Sequence, residues 1–146
     1  MAFESGQVTV ADFQQLLKEQ HPFAALIGIE IVALEDGTAQ LRLPADPSHT
    51  RLGGVVAGPM LMALSDMALY AAVVSATGKP EAVTASLSIN FVRGVPPGGI
   101  VARADVVKTG RLTVGEVRLY PESAAEHNGA TMVAHAISTW SLPRSK

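Results

Sequence analysis

Between residues 11 and 20, Phe13, Leu16 and Leu17 recur at i, i+3 and i+4, a spacing that gathers them on one face of a short helix. Thr9 stands at the N-cap position and Asp12, three residues on, completes a capping box; His21-Pro22 ends the helix, because the residue before a proline is driven out of helical geometry. Residues 25–34 and 38–43 read as two strands, joined through Glu35-Asp36-Gly37, whose Asp-Gly pair favours a tight hairpin. Residues 44–54, interrupted by prolines and glycines, read as an irregular loop.

From Gly58 to Thr77 the pattern changes. Met60, Leu61, Leu64, Met67, Leu69, Val73 and Val74 point in nearly every direction of a helical wheel, so the segment is a helix with no broad polar face and must be buried. Gly58-Pro59 opens it and Gly78 with Pro80 stops it. Residues 82–92, 100–108, 113–120 and 131–142 then read as strands. The first places Val83, Ala85, Leu87, Ile89 and Phe91 on one face and Thr84, Ser86, Ser88 and Asn90 on the other. Short turns at Pro96-Pro97-Gly98-Gly99 and Gly110-Arg111 make these strands antiparallel neighbours. Two strands, one apolar helix and four strands, with no βα alternation, specify a single α+β domain of residues 1–146. Its antiparallel sheet curls around the central helix 58–77, and residues 1–10 are expected to be a flexible N-terminus. A curled sheet leaves edges open, which predicts a homodimer, assembling further to a homotetramer.

Composition narrows the function. Eleven basic and thirteen acidic side chains give a net charge of −2 with no basic stripe, which argues against nucleic acid as a partner. The absence of cysteine removes disulfides and thiolate metal sites, no pair of the four histidines has metal-ligand spacing, and no signal-peptide pattern follows Met1; the expectation is a cytoplasmic protein without metal or cofactor. Asp66 in the middle of the apolar helix argues against a membrane span, where a central charge is costly.

Residues 54–66 (Gly-Val-Val-Ala-Gly-Pro-Met-Leu-Met-Ala-Leu-Ser-Asp), 84–91 (Thr-Ala-Ser-Leu-Ser-Ile-Asn-Phe), Lys108-Thr109-Gly110-Arg111 and Val133-Ala134-His135-Ala136 together resemble the hot-dog thioesterase superfamily, and within it the phenylacetate-pathway-type acyl-CoA thioesterases. The likeness runs from about Phe13 to Trp140. That branch carries Asn-x-x-Gly-x-x-His-Gly-Gly with an Asp nine residues after the histidine. On this chain the pattern falls as Arg51, Gly54, Ala57, Gly58, Pro59 and Asp66, so the glycines at 54 and 58 and the acid match, while Ala57 replaces the histidine and Arg51 the asparagine. The resemblance implies a hot-dog fold, an acyl thioester as substrate, Asp66 as base or nucleophile, and the Gly58 amide as oxyanion donor.

A carboxylate desolvated in an apolar helix gains basicity, and the unpaired N–H groups at a helix start attract an oxyanion. Further candidates for substrate binding are His49 and Arg51 in the preceding loop, Ala57, Met62 and Tyr70 one turn either side of Asp66, and the strand face Ser86, Ser88 and Asn90. Arg93, Lys108 and Arg111 are candidates for the phosphates of coenzyme A. Without the histidine, a non-catalytic binder of acyl ligands is the alternative.

Overall fold

The computed structural model describes residues 3–144, and its centre is the apolar segment, a 20-residue helix α3 (Gly58–Thr77). Pro59 stands in the first turn, where its missing N–H costs no intrahelical bond, and Gly78 ends the helix in the left-handed conformation with its N–H donating to Val74 O. Every residue from Met67 to Ser75 is buried. Around this helix curls one six-stranded antiparallel sheet, built from β1 (Glu30–Glu35), β2 (Thr38–Leu43), β3 (Val83–Phe91), β4 (Ile100–Lys108), β5 (Leu112–Pro121) and β6 (Ala134–Ser141) in the order β1-β2-β4-β5-β6-β3. The expected α+β hot-dog architecture is thus present. By length and composition α3 would suit a membrane, but its apolar surface packs on Leu41, Ala102, Val117, Ala136 and other core residues of the sheet. Gly115 on β5 permits the approach: a Cβ there would stand 2.9 Å from Leu69 Cδ2 on the helix.

Three elements depart from the sequence reading. Residues 25–27 are not strand; they belong to a short helix α2 (Pro22–Ile27), because Pro22, which stops α1 (Val10–Gln20), is well placed as the first residue of another helix, closed in turn by Gly28 at φ 81°. Strand β1 begins only at Glu30. Secondly, β3 does not neighbour β4 despite the short link between them. The link crosses the start of α3, where Val56 N–H donates to Val95 O at 2.9 Å, and leaves β3 beside β6 as an edge strand. Thirdly, the β3–β6 register slips between Thr84 and Ser86. Across the slip Thr84 lies opposite the buried Trp140, and Leu87 and Ile89 opposite the buried Ser138 and Ala136. Thr84 therefore shares the helix-facing side with Leu87 and Ile89, and only Ser86, Ser88 and Asn90 keep the outer face.

The N-terminal segment is also better fixed than expected. Residues 1–2 lie outside the described residues, but Phe3 N–H donates to Gly78 O at 3.0 Å, Gly6 N–H to Ser75 O at 2.8 Å, and Val8 is buried. This strap satisfies carbonyls that the end of α3 leaves open. At Gly78, with φ 70°, an added Cβ would collide with the Phe3 carbonyl. Gly78→Ala is therefore expected to lower stability by about 1–3 kcal/mol, read as a lower denaturant midpoint; an unchanged midpoint would show that the strap contributes nothing.

Candidate active site

The loop before α3 and the link after β3 meet at the helix start and border an open cavity of about 710 Å³, lined by Arg51, Val56, Ala57, Gly58, Phe91 and Arg93 among others. The local sequence explains the opening. Ala57 is the N-cap in extended conformation with no side-chain bond to offer, and its own N–H is held by His49 O at 2.8 Å. Gly58 is the first helical residue; its N–H has no backbone acceptor among the described residues, and Pro59 has no N–H. At Gly58 a Cβ would lie 3.6 Å from the Phe91 ring, so the backbone is flanked by an aromatic wall. One free amide at the positive end of a 20-residue helix suits a developing oxyanion. Arg51 and Arg93 bring positive charge to the same cavity, Arg93 being steadied by donation from Nη1 to Met132 O.

Asp66 lies elsewhere. It sits eight residues along α3, which at the helical rise is about 12 Å from Gly58. It is half-buried beside the free edge of β3, where Thr84 Oγ1 donates to its Oδ1 at 2.7 Å. Burial pushes the Asp66 carboxyl above its usual range, and the Thr84 hydrogen bond, which favours the charged form, offsets part of that rise. Thr84 was legible in sequence only as a member of the polar strand face; its role as Asp66's partner follows from the register slip, which no residue pattern announces.

The remaining candidates divide. Arg51, Ala57, Gly58 and Arg93 share one cavity. Met62, half-exposed, lies one turn from Asp66 on the surface of the chain. Tyr70, one turn on the other side of Asp66, is not at the surface: it is buried between Phe13 and Trp140, with its hydroxyl donating to Pro80 O at 2.6 Å and lying 3.0 Å from His21 Nε2. His49 is buried in the wall of a neighbouring cavity. Ser86, Ser88 and Asn90 are exposed on the outer sheet face. Lys108 donates to Leu112 O, and Arg111 lines a separate cleft with Lys79 and Arg144. His135 lies 3.3 Å from Glu116 on that outer face, and among the described residues no three acids or histidines group as a metal would require.

Comparison with known proteins places the chain in a family. The profile of the thioesterase superfamily matches residues 53–124, which span α3 and strands β3 to β5. A protein of Saccharolobus solfataricus that bears an esterase name is 30% identical over 138 residues, covering 94% of this chain and 87% of its own. A thioesterase family protein from Silicibacter pomeroyi superposes with a TM-score of 0.77 at 27% identity, over 88% of this chain and 93% of that one. The PaaI protein of the phenylacetic acid degradation operon of E. coli superposes with a TM-score of 0.80 at 20% identity, over 93% and 94%, a likeness of fold. The chain belongs to the hot-dog thioesterase superfamily, whose general chemistry is hydrolysis of acyl thioesters.

A carboxyl whose pKa is raised by folding favours the native state most when protonated. That contribution is complete below the ordinary carboxylate range and is lost as pH rises through the elevated value. Asp66→Asn is therefore expected to raise the melting midpoint at neutral pH, with the gain shrinking as pH falls toward 4. A neutral-pH midpoint below that of the wild type would show that the ionised carboxylate is a net stabiliser.

Proposed function

We propose that the protein is an acyl-CoA thioesterase working as a homodimer, in which the Gly58 amide of one protomer and Asp66 of its partner converge on one thioester. The observation that carries this reading is the separation of about 12 Å between the two groups on a single rigid helix, which keeps them from acting on one carbonyl within one chain. Supporting it, among the described residues β3 pairs only with β6, which leaves its other edge open, and the exposed apolar side chains Met62, Val83, Phe91 and Val92 lie on or next to the two elements concerned, α3 and β3. Pairing two such edges about a two-fold axis sets the helices antiparallel, start against middle.

In the site so formed Asp66 takes a proton from water as the oxygen adds to the thioester carbon. The negative charge on the carbonyl oxygen is held by the Gly58 N–H and the helix start. Collapse breaks the carbon–sulfur bond, and the departing thiolate takes the proton back from Asp66, leaving a free acid and a thiol. Alternatively the carboxylate itself attacks the thioester carbon and the C–S bond breaks to release thiolate; water then opens the anhydride, regenerating the carboxylate and giving the free acid, and water's proton goes to the thiolate. Arg51 and Arg93 line the same cavity as Gly58 and offer positive charge to a carrier's phosphates.

Asp66→Asn is expected to lower kcat in a thiol-release assay on acyl-CoAs by about 10²–10⁴-fold while saturable binding persists. Thr84→Val removes a bond that favours the ionised acid, so the acidic limb of the kcat/KM profile is expected to move to higher pH. Binding of acyl-CoA with no turnover by the wild type would instead favour the second reading, a non-catalytic acyl-ligand protein, for which Ala57 in the motif's histidine position is the specific motive.

A further inference from the structure

Thr50 and Val56, joined by an antiparallel bridge, both line a second cavity beside the one at the helix start. This second cavity, of about 340 Å³, is walled by Leu43, Pro44, Pro47, Val56, Pro97 and Ile100. Val56 lines both, so the two are one side chain apart. Among these apolar walls stands His49, at the end of the 3₁₀ turn Pro47–His49 and only 6% exposed. The other polar side chains there are engaged: Asp46 accepts from the Ser48 N–H and hydroxyl, and Thr50 Oγ1 donates to Pro47 O. The His49 ring has no hydrogen-bond partner among the described residues, although its carbonyl holds the Ala57 N–H beside Gly58.

We propose that this second cavity receives the acyl group of a thioester whose carbonyl lies at Gly58, and that His49 selects acyl groups carrying a hydroxyl or keto oxygen. The proposal rests on the thioesterase reading above and adds the substrate class. A volume of about 340 Å³ is at the small end of the ~300–1,000 Å³ typical of small-molecule sites, so a compact acyl group fills it and a long chain must extend beyond its walls. Selection follows from the lone imidazole. An unsubstituted chain filling the cavity displaces the water that the ring nitrogens would bond and offers nothing in return, whereas a hydroxyl or keto oxygen in reach replaces that bond.

The test measures kcat/KM of the purified full-length protein on octanoyl-CoA, hexadecanoyl-CoA and a series of hydroxyoctanoyl-CoAs with the hydroxyl at successive carbons. Wild type, His49→Leu and His49→Gln are compared, and circular dichroism checks that each variant is folded. One hydroxyoctanoyl isomer is expected to exceed octanoyl-CoA by about tenfold in the wild type. That ratio is expected to fall to about one in His49→Leu and to recover in part in His49→Gln, with hexadecanoyl-CoA the poorest substrate throughout. Turnover without preference for any isomer, or a preference that survives in His49→Leu, would overturn the assignment of the cavity while leaving the thioesterase reading intact. Absence of turnover on every thioester would overturn both.

Discussion

A twenty-residue helix with apolar side chains all round is stable in water only if something encloses it, and in this chain six strands do so. The same enclosure makes an ionisable residue on that helix conspicuous. Asp66 escapes the centre of the core because it lies where the sheet ends, at the free edge of β3, and Thr84 from that edge supplies the hydrogen bond that a half-buried carboxylate requires. The fold thus fixes both the acid's position and its raised pKa.

The helix start is governed by a different constraint. A helix leaves its first N–H groups unpaired, and here neither the N-cap side chain, an alanine, nor Pro59 compensates. The loop carrying His49 and Arg51 and the link carrying Arg93 fold over this end, so the free amide faces a cavity. The register slip in β3 acts further along the helix, because it turns Thr84 toward Asp66 without disturbing the outward run of Ser86, Ser88 and Asn90.

The features visible in the sequence were those with a simple period: the buried helix, the capped first helix, the Asp-Gly hairpin and the strand 100–108, whose limits are those observed. Asp66 was visible as a charge breaking an apolar run. Other features were hidden for identifiable reasons. The alternation from Val83 to Phe91 reads as unbroken, and a bulge leaves no mark on it, so Thr84 was assigned to the wrong face. Tyr70 shares a helical face with Asp66 by spacing alone, but α1 covers that turn through Phe13 and draws the ring into the core. Residues 25–27 are apolar enough for a strand, and only the favourable place of Pro22 at a helix start decides against it. The distance between Gly58 and Asp66 follows from helical rise once the helix is assigned.

The central claim is that each catalytic centre is shared between two protomers. Gly58→Pro removes the oxyanion amide and Asp66→Asn removes the base, so each homodimer is expected to be inactive. In a mixed dimer one of the two sites joins the intact Gly58 of one chain to the intact Asp66 of the other. Unfolding and refolding the two variants together at equal amounts should then restore about a quarter of wild-type turnover, since half the dimers are mixed and each holds one intact site of two. Thiol release that stays at the level of the separate variants, with mixed dimers shown to have formed, would contradict the shared site and place the whole reaction within one chain.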